Sequence, residues 1–196
     1  MRVLSFTLLT VVAGFLSCGC AVSVTGEPFA AETSRVSNKP LPFPSTIKNR
    51  TNDRNDGTSF EPCTAYTDSE LLSLDINPAT VEDAATVDSA NYRGCHWQST
   101  DYSAGGSGGN YSQIVGMKMP LDEYKRYMKT LQWQPDRSVQ GRTIAIAAEF
   151  NACTAVFASD KAIVVTRRSS LNPSPGRTVE CDRAFAFASL AVSKAP

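Results

Sequence analysis

Six cysteines are the residues of this chain whose type and spacing could do chemistry. They are Cys18, Cys20, Cys63, Cys95, Cys153 and Cys181. A thiol can carry a lipid, form a disulfide or bind a metal, and its surroundings decide which of these is expected. The first two cysteines stand close together near the N-terminus, and the other four are spread along the chain. This separation predicts two different roles.

The N-terminal residues have the composition of an export signal. Arg2 is the only charged residue among the first fifteen, and an apolar or small stretch runs from Val3 to Leu16. A short basic segment followed by an apolar segment of this length is typical of a signal peptide. It is shorter than the roughly 20 apolar residues that a membrane-spanning helix needs. We therefore predict a signal peptide over residues 1–19 and export of the rest.

The end of this segment is similar to a bacterial lipobox, in which small residues precede a cysteine that receives a diacylglyceryl group after export. The residues here are Leu16-Ser17-Cys18-Gly19-Cys20. Lipidation at Cys20 removes Cys18 with the signal and leaves an even number of further cysteines. Because one acyl chain binds a membrane only reversibly, two or three chains, palmitate for example, make the attachment durable. We predict a lipid anchor at Cys20, with Cys18 as the alternative, on the extracytoplasmic face of the cell membrane.

The remaining four cysteines are expected to form two disulfides, because export leads to an oxidising compartment. Four cysteines allow three connectivities, and the most local one joins Cys63 to Cys95 and Cys153 to Cys181. Each bond would close a loop of about thirty residues and contribute on the order of 3–4 kcal/mol of stability. Zinc binding is not expected, since the four form no close pair and only His96 could join them.

Composition excludes some partners. The chain has 196 residues, with 19 Lys and Arg balanced by 19 Asp and Glu, so its formal net charge is +0. No basic surface is therefore expected that would neutralise the phosphates of a nucleic acid. The same balance gives no polybasic patch for a membrane surface. Membrane contact is predicted through the covalent lipid.

Residues 20–59 are predicted to form the lipidated N-terminus and a disordered spacer. Four prolines occur there among polar residues and charges of both signs, with no apolar period. They are Pro28, Pro40, Pro42 and Pro44. Such a stretch is expected to hold a domain away from the lipid surface. The globular domain is predicted over residues 60–196.

Three helices are predicted in this domain. Thr67 and Glu70 form a capping box before a leucine-rich run. Pro120 stands at the start of a helix over residues 121–131, where apolar side chains recur at helical spacing. A last helix is expected over residues 179–193, with Cys181 on its apolar side.

The segments between the helices read as strands. Residues 92–99 alternate, with Cys95 and Trp97 on one face and His96 on the other. Residues 111–119, 144–150, 154–158 and 162–168 complete the set, and a glycine-rich loop is expected over 104–110. Strands that follow one another through hairpins predict an antiparallel sheet of about five strands with helices packed on it, an α+β domain. This order of elements resembles the PsbP/Mog1-like layout.

Several segments together resemble a family of actinobacterial (mycobacterial and nocardial) lipoproteins of unknown function. Members of that family carry a lipobox, a low-complexity spacer and a four-cysteine domain. The matching residues are Glu61-Pro62-Cys63, Cys95-His96-Trp97, Leu121-Asp122-Glu123-Tyr124, Gly141-Arg142, Cys153 and Cys181. Glu61 replaces the usual aspartate, and Pro120 stands where the helix cap usually lies. The resemblance covers about residues 60–190 and implies no known activity.

No catalytic residues are predicted. His96 is the only histidine and is expected on the strand face opposite Trp97, and no nucleophile-elbow sequence occurs. The run from Gly105 to Gly109 lacks the Lys-Ser/Thr pair of a phosphate-binding loop and lies between strands. The neighbouring acids lie in first helical turns, where the helix dipole accounts for them. They are Asp122, Glu123, Glu180 and Asp182. We expect a protein that is not an enzyme and that uses no cofactor.

A non-catalytic binding module is the predicted class. Six residues could line an apolar groove between helix 121–131 and the sheet, and core packing would explain the same residues. They are Met117, Met119, Tyr124, Tyr127, Met128 and Trp133. The expected ligand is a lipid or another apolar component of the cell envelope. The alternative is an accessory subunit that docks on a membrane protein, for example through Arg167-Arg168, and an envelope hydrolase is the least expected class.

Overall fold

The computed structural model describes residues 39–103, 108–171 and 173–196, all of which lie in one compact unit. The predicted signal peptide, both candidate lipidation sites and the first part of the spacer lie outside the described residues. The helices are α1 (Asp68–Leu72), α2 (Leu121–Tyr127) and α3 (Arg177–Val192). The strands are β1 (Glu82–Asp83), β2 (Arg93–Gln98), β3 (Gly109–Lys118), β4 (Gln132–Trp133), β5 (Arg137–Val139), β6 (Arg142–Ala148), β7 (Ala152–Ser159) and β8 (Ala162–Ser170).

The strands form one antiparallel sheet in the order β1-β2-β3-β8-β7-β6-β4, with β5 also paired to β6. This confirms the predicted α+β class. The predicted number of about five strands is wrong, because the described residues contain eight. The additional strands β1, β4 and β5 are only two or three residues long. A stretch this short cannot display the alternation by which a strand is recognised in a sequence.

The alternation in β2 places its side chains as predicted. Cys95 and Trp97 are almost fully buried, and His96 points to the other, partly exposed face. Trp97 and Tyr111 meet the ring of Phe187 from α3, with ring centroids 5.6 and 6.0 Å apart. Aromatic residues from the sheet and the helix thus form one end of the core.

Helix α3 crosses β6, β7 and β8 and covers one face of the sheet. Ala184, Ala188 and Ala191 are fully buried on its inner side. Small side chains at this spacing let the backbone of the helix lie close to the strands. The helix spans the stretch expected for it within two residues at its start and one at its end.

Both disulfides have the predicted connectivity. Cys63 is joined to Cys95 and Cys153 to Cys181, with Cα–Cα distances of 5.4 and 4.9 Å. The first bond ties the segment before α1 to β2, and the second ties β7 to α3. Each disulfide therefore holds a chain segment or helix against the sheet.

The second part of the predicted spacer packs on the domain. Arg50, Asn55 and Thr58 are buried, and the Asn55 side chain donates to the Ala90 carbonyl at 3.2 Å. The prediction of a disordered spacer is therefore wrong for residues 50–59. These residues are mostly polar and are held by polar partners, a mode of packing that leaves no apolar period in a sequence.

Helix α2 is shorter than expected. It ends at Tyr127, and none of its residues is fully buried. Met128 has a ψ of 40°, which takes the chain out of the helix towards β4. The predicted continuation to residue 131 is wrong, because residues 132–133 pair with β6 and the connection must first turn.

Candidate functional site

The six residues predicted to line a groove are divided among different surroundings. Tyr124 and Trp133 pack edge to face, with ring centroids 6.4 Å apart. The Trp133 indole donates to the Met128 carbonyl at 3.3 Å, and the Lys125 ammonium lies 5.6 Å from the Trp133 ring centre. Tyr127 points to solvent with 66% of its surface exposed. Tyr124, Lys125 and Trp133 thus pack on one another, whereas Tyr127 does not join them.

The two methionines of the predicted groove line different clefts. Met117 borders an open cleft of about 590 Å³ together with Val87 and Ala90. Met119 borders another of about 490 Å³ together with Leu121 and Ala158. Neither of these clefts is bordered by the other four residues, and the groove along α2 stays a prediction.

His96 forms a side-chain hydrogen bond at the surface. Its Nε2 lies 2.9 Å from Glu82 on the neighbouring strand β1, and the two side chains are 40% and 74% exposed. Among the described residues, no group of three or more His, Cys, Asp and Glu side chains could hold a metal ion. The same part of the chain contains no helix with the length and apolar composition needed to cross a membrane.

The acids in the first helical turns differ in their surroundings. Asp122 and Glu123 are exposed, and Asp182 pairs with Arg137 at 2.8 Å. Glu180 is fully buried beside the equally buried Arg168, whose Nε lies 3.8 Å from the Glu180 carboxylate. Dipole compensation thus fails to explain Glu180. Arg168 lies on the same face of β8 as the buried Val164 and Thr166, because alternate residues of a strand face the same side. This alternation was the sequence signal that indicated a buried charge.

A second buried charge cluster joins the former spacer to the domain. The Arg50 guanidinium donates to both carboxylate oxygens of Glu61 at 2.8 and 3.1 Å and to Asp83 at 3.0 Å. Arg93 donates to the same Glu61 carboxylate at 3.0 Å and to the Thr58 carbonyl at 2.8 Å. Two arginines thus share one buried carboxylate, and the partners come from four separate segments.

Burial, hydrogen bonds and neighbouring charges together shift the pKa values of this cluster. Burial alone would raise the pKa of Glu61, but the bonds and charge of Arg50 and the charge of Arg93 outweigh it, so the pKa is lowered. For Arg93, burial is the largest influence and lowers the pKa of its guanidinium. Glu61 is therefore charged at neutral pH and holds both arginines.

One cleft lies between β6 and the start of α3. It has a volume of about 350 Å³, near the lower limit for a small-molecule site. Its floor is apolar and includes Ile146, Ala148 and Cys181, the last of which belongs to a disulfide. These side chains are buried by the fold and are therefore held in place before any ligand arrives.

A second cleft of about 310 Å³ adjoins the first. The two share Ala148 and Arg177, and the second is also lined by Leu131 and Phe150. Phe150 lies in the turn between β6 and β7 and has 87% of its surface exposed. We call the two clefts together the α3 groove. Its lining combines buried apolar side chains with the exposed aromatic ring of Phe150.

Most charged side chains around the α3 groove are paired. Lys125 bonds to Asp136 at 2.8 Å and Arg167 to Glu149 at 3.0 Å, in addition to the Arg137–Asp182 pair. The exception is Arg177, which forms no hydrogen bond or ion pair with the described residues. Sequence analysis missed the α3 groove, because its lining comes from segments far apart in the chain.

Comparison with known proteins places the chain by family. Residues 15–194 match the model of a family described as "Protein of unknown function (DUF3558)". No curated protein matches the chain, and no solved structure does. The PsbP/Mog1-like layout suggested by the order of elements therefore stays a prediction.

Proposed function

We propose that this chain, which belongs to the DUF3558 family, is an exported lipoprotein of an actinobacterial type whose domain binds an apolar ligand outside the cell membrane. The anchor would be the lipid on Cys20, with Cys18 as the alternative. The domain would act by non-covalent binding and not by catalysis.

The compartment is inferred from the cysteines. Cleavage before Cys20 leaves four cysteines besides Cys20 itself, and these are the four that form the two disulfides. Disulfides of this kind persist outside the cytoplasm and are rare within it. This agreement between the predicted cleavage site and the observed pairs supports export, and the lipobox-like sequence supports the anchor.

The observation that carries the binding function is the apolar floor of the α3 groove. Ile146 and Ala148 are core residues of the sheet, yet they border an open cleft beside the start of α3. An apolar floor at the bottom of a cleft of this size suits an apolar group of a ligand, which would replace water there. We therefore move the predicted ligand site from α2 to the α3 groove.

Docking on another protein is the second candidate function. It is favoured by Phe150, whose ring is almost wholly exposed in a turn next to the groove. Exposed aromatic residues of this kind are typical anchors of protein interfaces. A protein partner would cover Phe150 without entering the cleft floor.

Methyl NMR of the disulfide-bonded domain, titrated with dodecanol, tests the binding function. The methyl signals of Ile146 should move in a saturable manner. Ile163 is the matched control, because it is buried in the same sheet but does not line the groove. Shifts at neither isoleucine, or equal shifts at both, would contradict apolar binding at this site.

A further inference from the structure

The charges around the α3 groove point to the class of its ligand. We propose that the groove binds an amphiphile with one aliphatic chain and a single anionic head group, and that Arg177 selects the head group. This inference rests on the binding function proposed above. It adds a charge requirement that an apolar cleft alone would not impose.

The lining acids are already neutralised. Asp136 accepts two bonds from the Lys125 ammonium, at 2.8 and 3.0 Å. Glu149 accepts two from the Arg167 guanidinium, at 3.2 and 3.0 Å. Neither carboxylate is therefore available to attract a cationic ligand or to repel an anionic one at close range.

The lining cations are not balanced in the same way. Arg137 bonds to Asp182 and stacks on the Phe185 ring, with its guanidinium carbon 4.9 Å from the ring centre. Arg177 has no such partner among the described residues and borders both clefts of the groove. The groove thus contains one uncompensated positive charge.

The position of Arg177 fits one head group attached to one chain. The apolar floor of Ile146 and Ala148 lies in the cleft that Arg177 borders, so a chain on the floor would bring its head to the guanidinium. A guanidinium offers paired N–H donors that match a carboxylate or a phosphate.

Four probes that share a twelve-carbon chain test this assignment: laurate, dodecyl phosphate, dodecanol and dodecyltrimethylammonium. Binding is measured below the micellar concentration on the disulfide-bonded protein and on Arg177→Ala. Arg126→Ala is the matched control, because Arg126 is an exposed arginine of α2 outside the groove lining. We expect at least one anion to bind about tenfold more tightly than dodecanol. The tighter of the two anions identifies a carboxylate or a phosphate head.

Arg177→Ala should remove this preference and leave the affinity for dodecanol within about twofold, while Arg126→Ala should change neither. Equal affinity for dodecanol and both anions, or an anion preference that survives in Arg177→Ala, would overturn the charge requirement and leave the binding function standing. Absence of binding by all four probes would overturn both.

Discussion

Glu61 is the buried carboxylate that two buried arginines share. It receives bonds from Arg50 and Arg93 while its own side chain is almost completely buried. A buried carboxylate is tolerated only with such partners, and removing it leaves two buried cations without compensation. The cluster thus makes the packing of the N-terminal segment depend on a single side chain.

Glu61→Gln is expected to lower the free energy of unfolding by about 3–5 kcal/mol at pH 7, because it leaves buried charges unpaired. Urea denaturation of the two proteins measures the difference. Glu82→Gln is the control, since Glu82 is an acid with a mostly exposed side chain, and its change should stay within about 0.5 kcal/mol. Similar values for the two variants would contradict the structural role of the cluster.

The stability that Glu61 contributes should depend on pH. The folded state lowers the pKa of this carboxyl below its ordinary value of 4.5. The contribution is therefore complete above the pKa of the unfolded chain and disappears as pH falls through the folded pKa. The difference in unfolding free energy between the wild type and Glu61→Gln should thus shrink below about pH 4.5. A difference that grows on acidification would have the wrong sign.

The pKa of Glu70 tests the two contacts of its carboxylate, one within the capping box and one with Lys194. Its carboxylate accepts a bond from Lys194 and another from the Thr67 backbone N–H, which lower its pKa to about 2. NMR titration should give this value, and Lys194→Ala should raise it. An unchanged pKa in that variant would show that the C-terminal lysine does not reach α1.

At the scale of elements, residues 50–59 behave as part of the domain. They supply Arg50, and the carbonyls of Asn55 and Thr58 accept bonds from Arg93 at 3.2 and 2.8 Å. The disulfides add two further connections to the sheet. One joins the segment around Cys63 to β2, and the other joins α3 to β7.

A chain that starts at residue 39 is expected to unfold cooperatively, whereas one that starts at residue 60 should not reach the same folded state. The shorter chain lacks Arg50 and leaves donors of Arg93 unsatisfied in the core. Thermal unfolding followed by circular dichroism compares the two. Equal melting temperatures would show that the domain folds without residues 39–59, as the predicted boundary at residue 60 implies.

Replacing Cys153 and Cys181 together by serine should lower the unfolding free energy by about 3–4 kcal/mol, because the bond closes a long loop in the unfolded chain. Urea denaturation of the variant and the wild type under non-reducing conditions measures it. A loss below about 1 kcal/mol would indicate that packing alone holds α3 on β7.

Local patterns in the sequence predicted the parts of the fold that depend on near neighbours. The capping box at Thr67 and Glu70 and the alternation around Trp97 both rely on residues within a few positions, and both are present. Arg50 and Asp83 lie far apart in the sequence, and nothing near either residue indicates its partner. The α3 groove escaped prediction for the same reason, since Leu131, Ile146 and Arg177 meet only in the folded chain.

At the scale of the whole molecule, the proposed function requires a lipid anchor, a tether and a folded domain. Because residues 50–59 pack on the domain, the proposed tether would be shorter than the predicted spacer over 20–59. The groove lies beside β6, near one edge of the sheet. At the opposite edge, Arg50 attaches the N-terminal segment to Asp83 of β1. Five strand spacings of about 4.8 Å separate β6 from β1, so the groove lies on the order of 24 Å across the sheet from this attachment.

Export with lipidation is the central claim, and intact-mass spectrometry tests it most directly. The protein would be expressed in an actinobacterial host, extracted from its membranes and measured with and without reduction. We predict a chain that starts at Cys20, carries a diacylglyceryl group and gains the mass of four hydrogen atoms on reduction, two for each disulfide. A soluble chain without lipid, or four free thiols before reduction, would contradict the account.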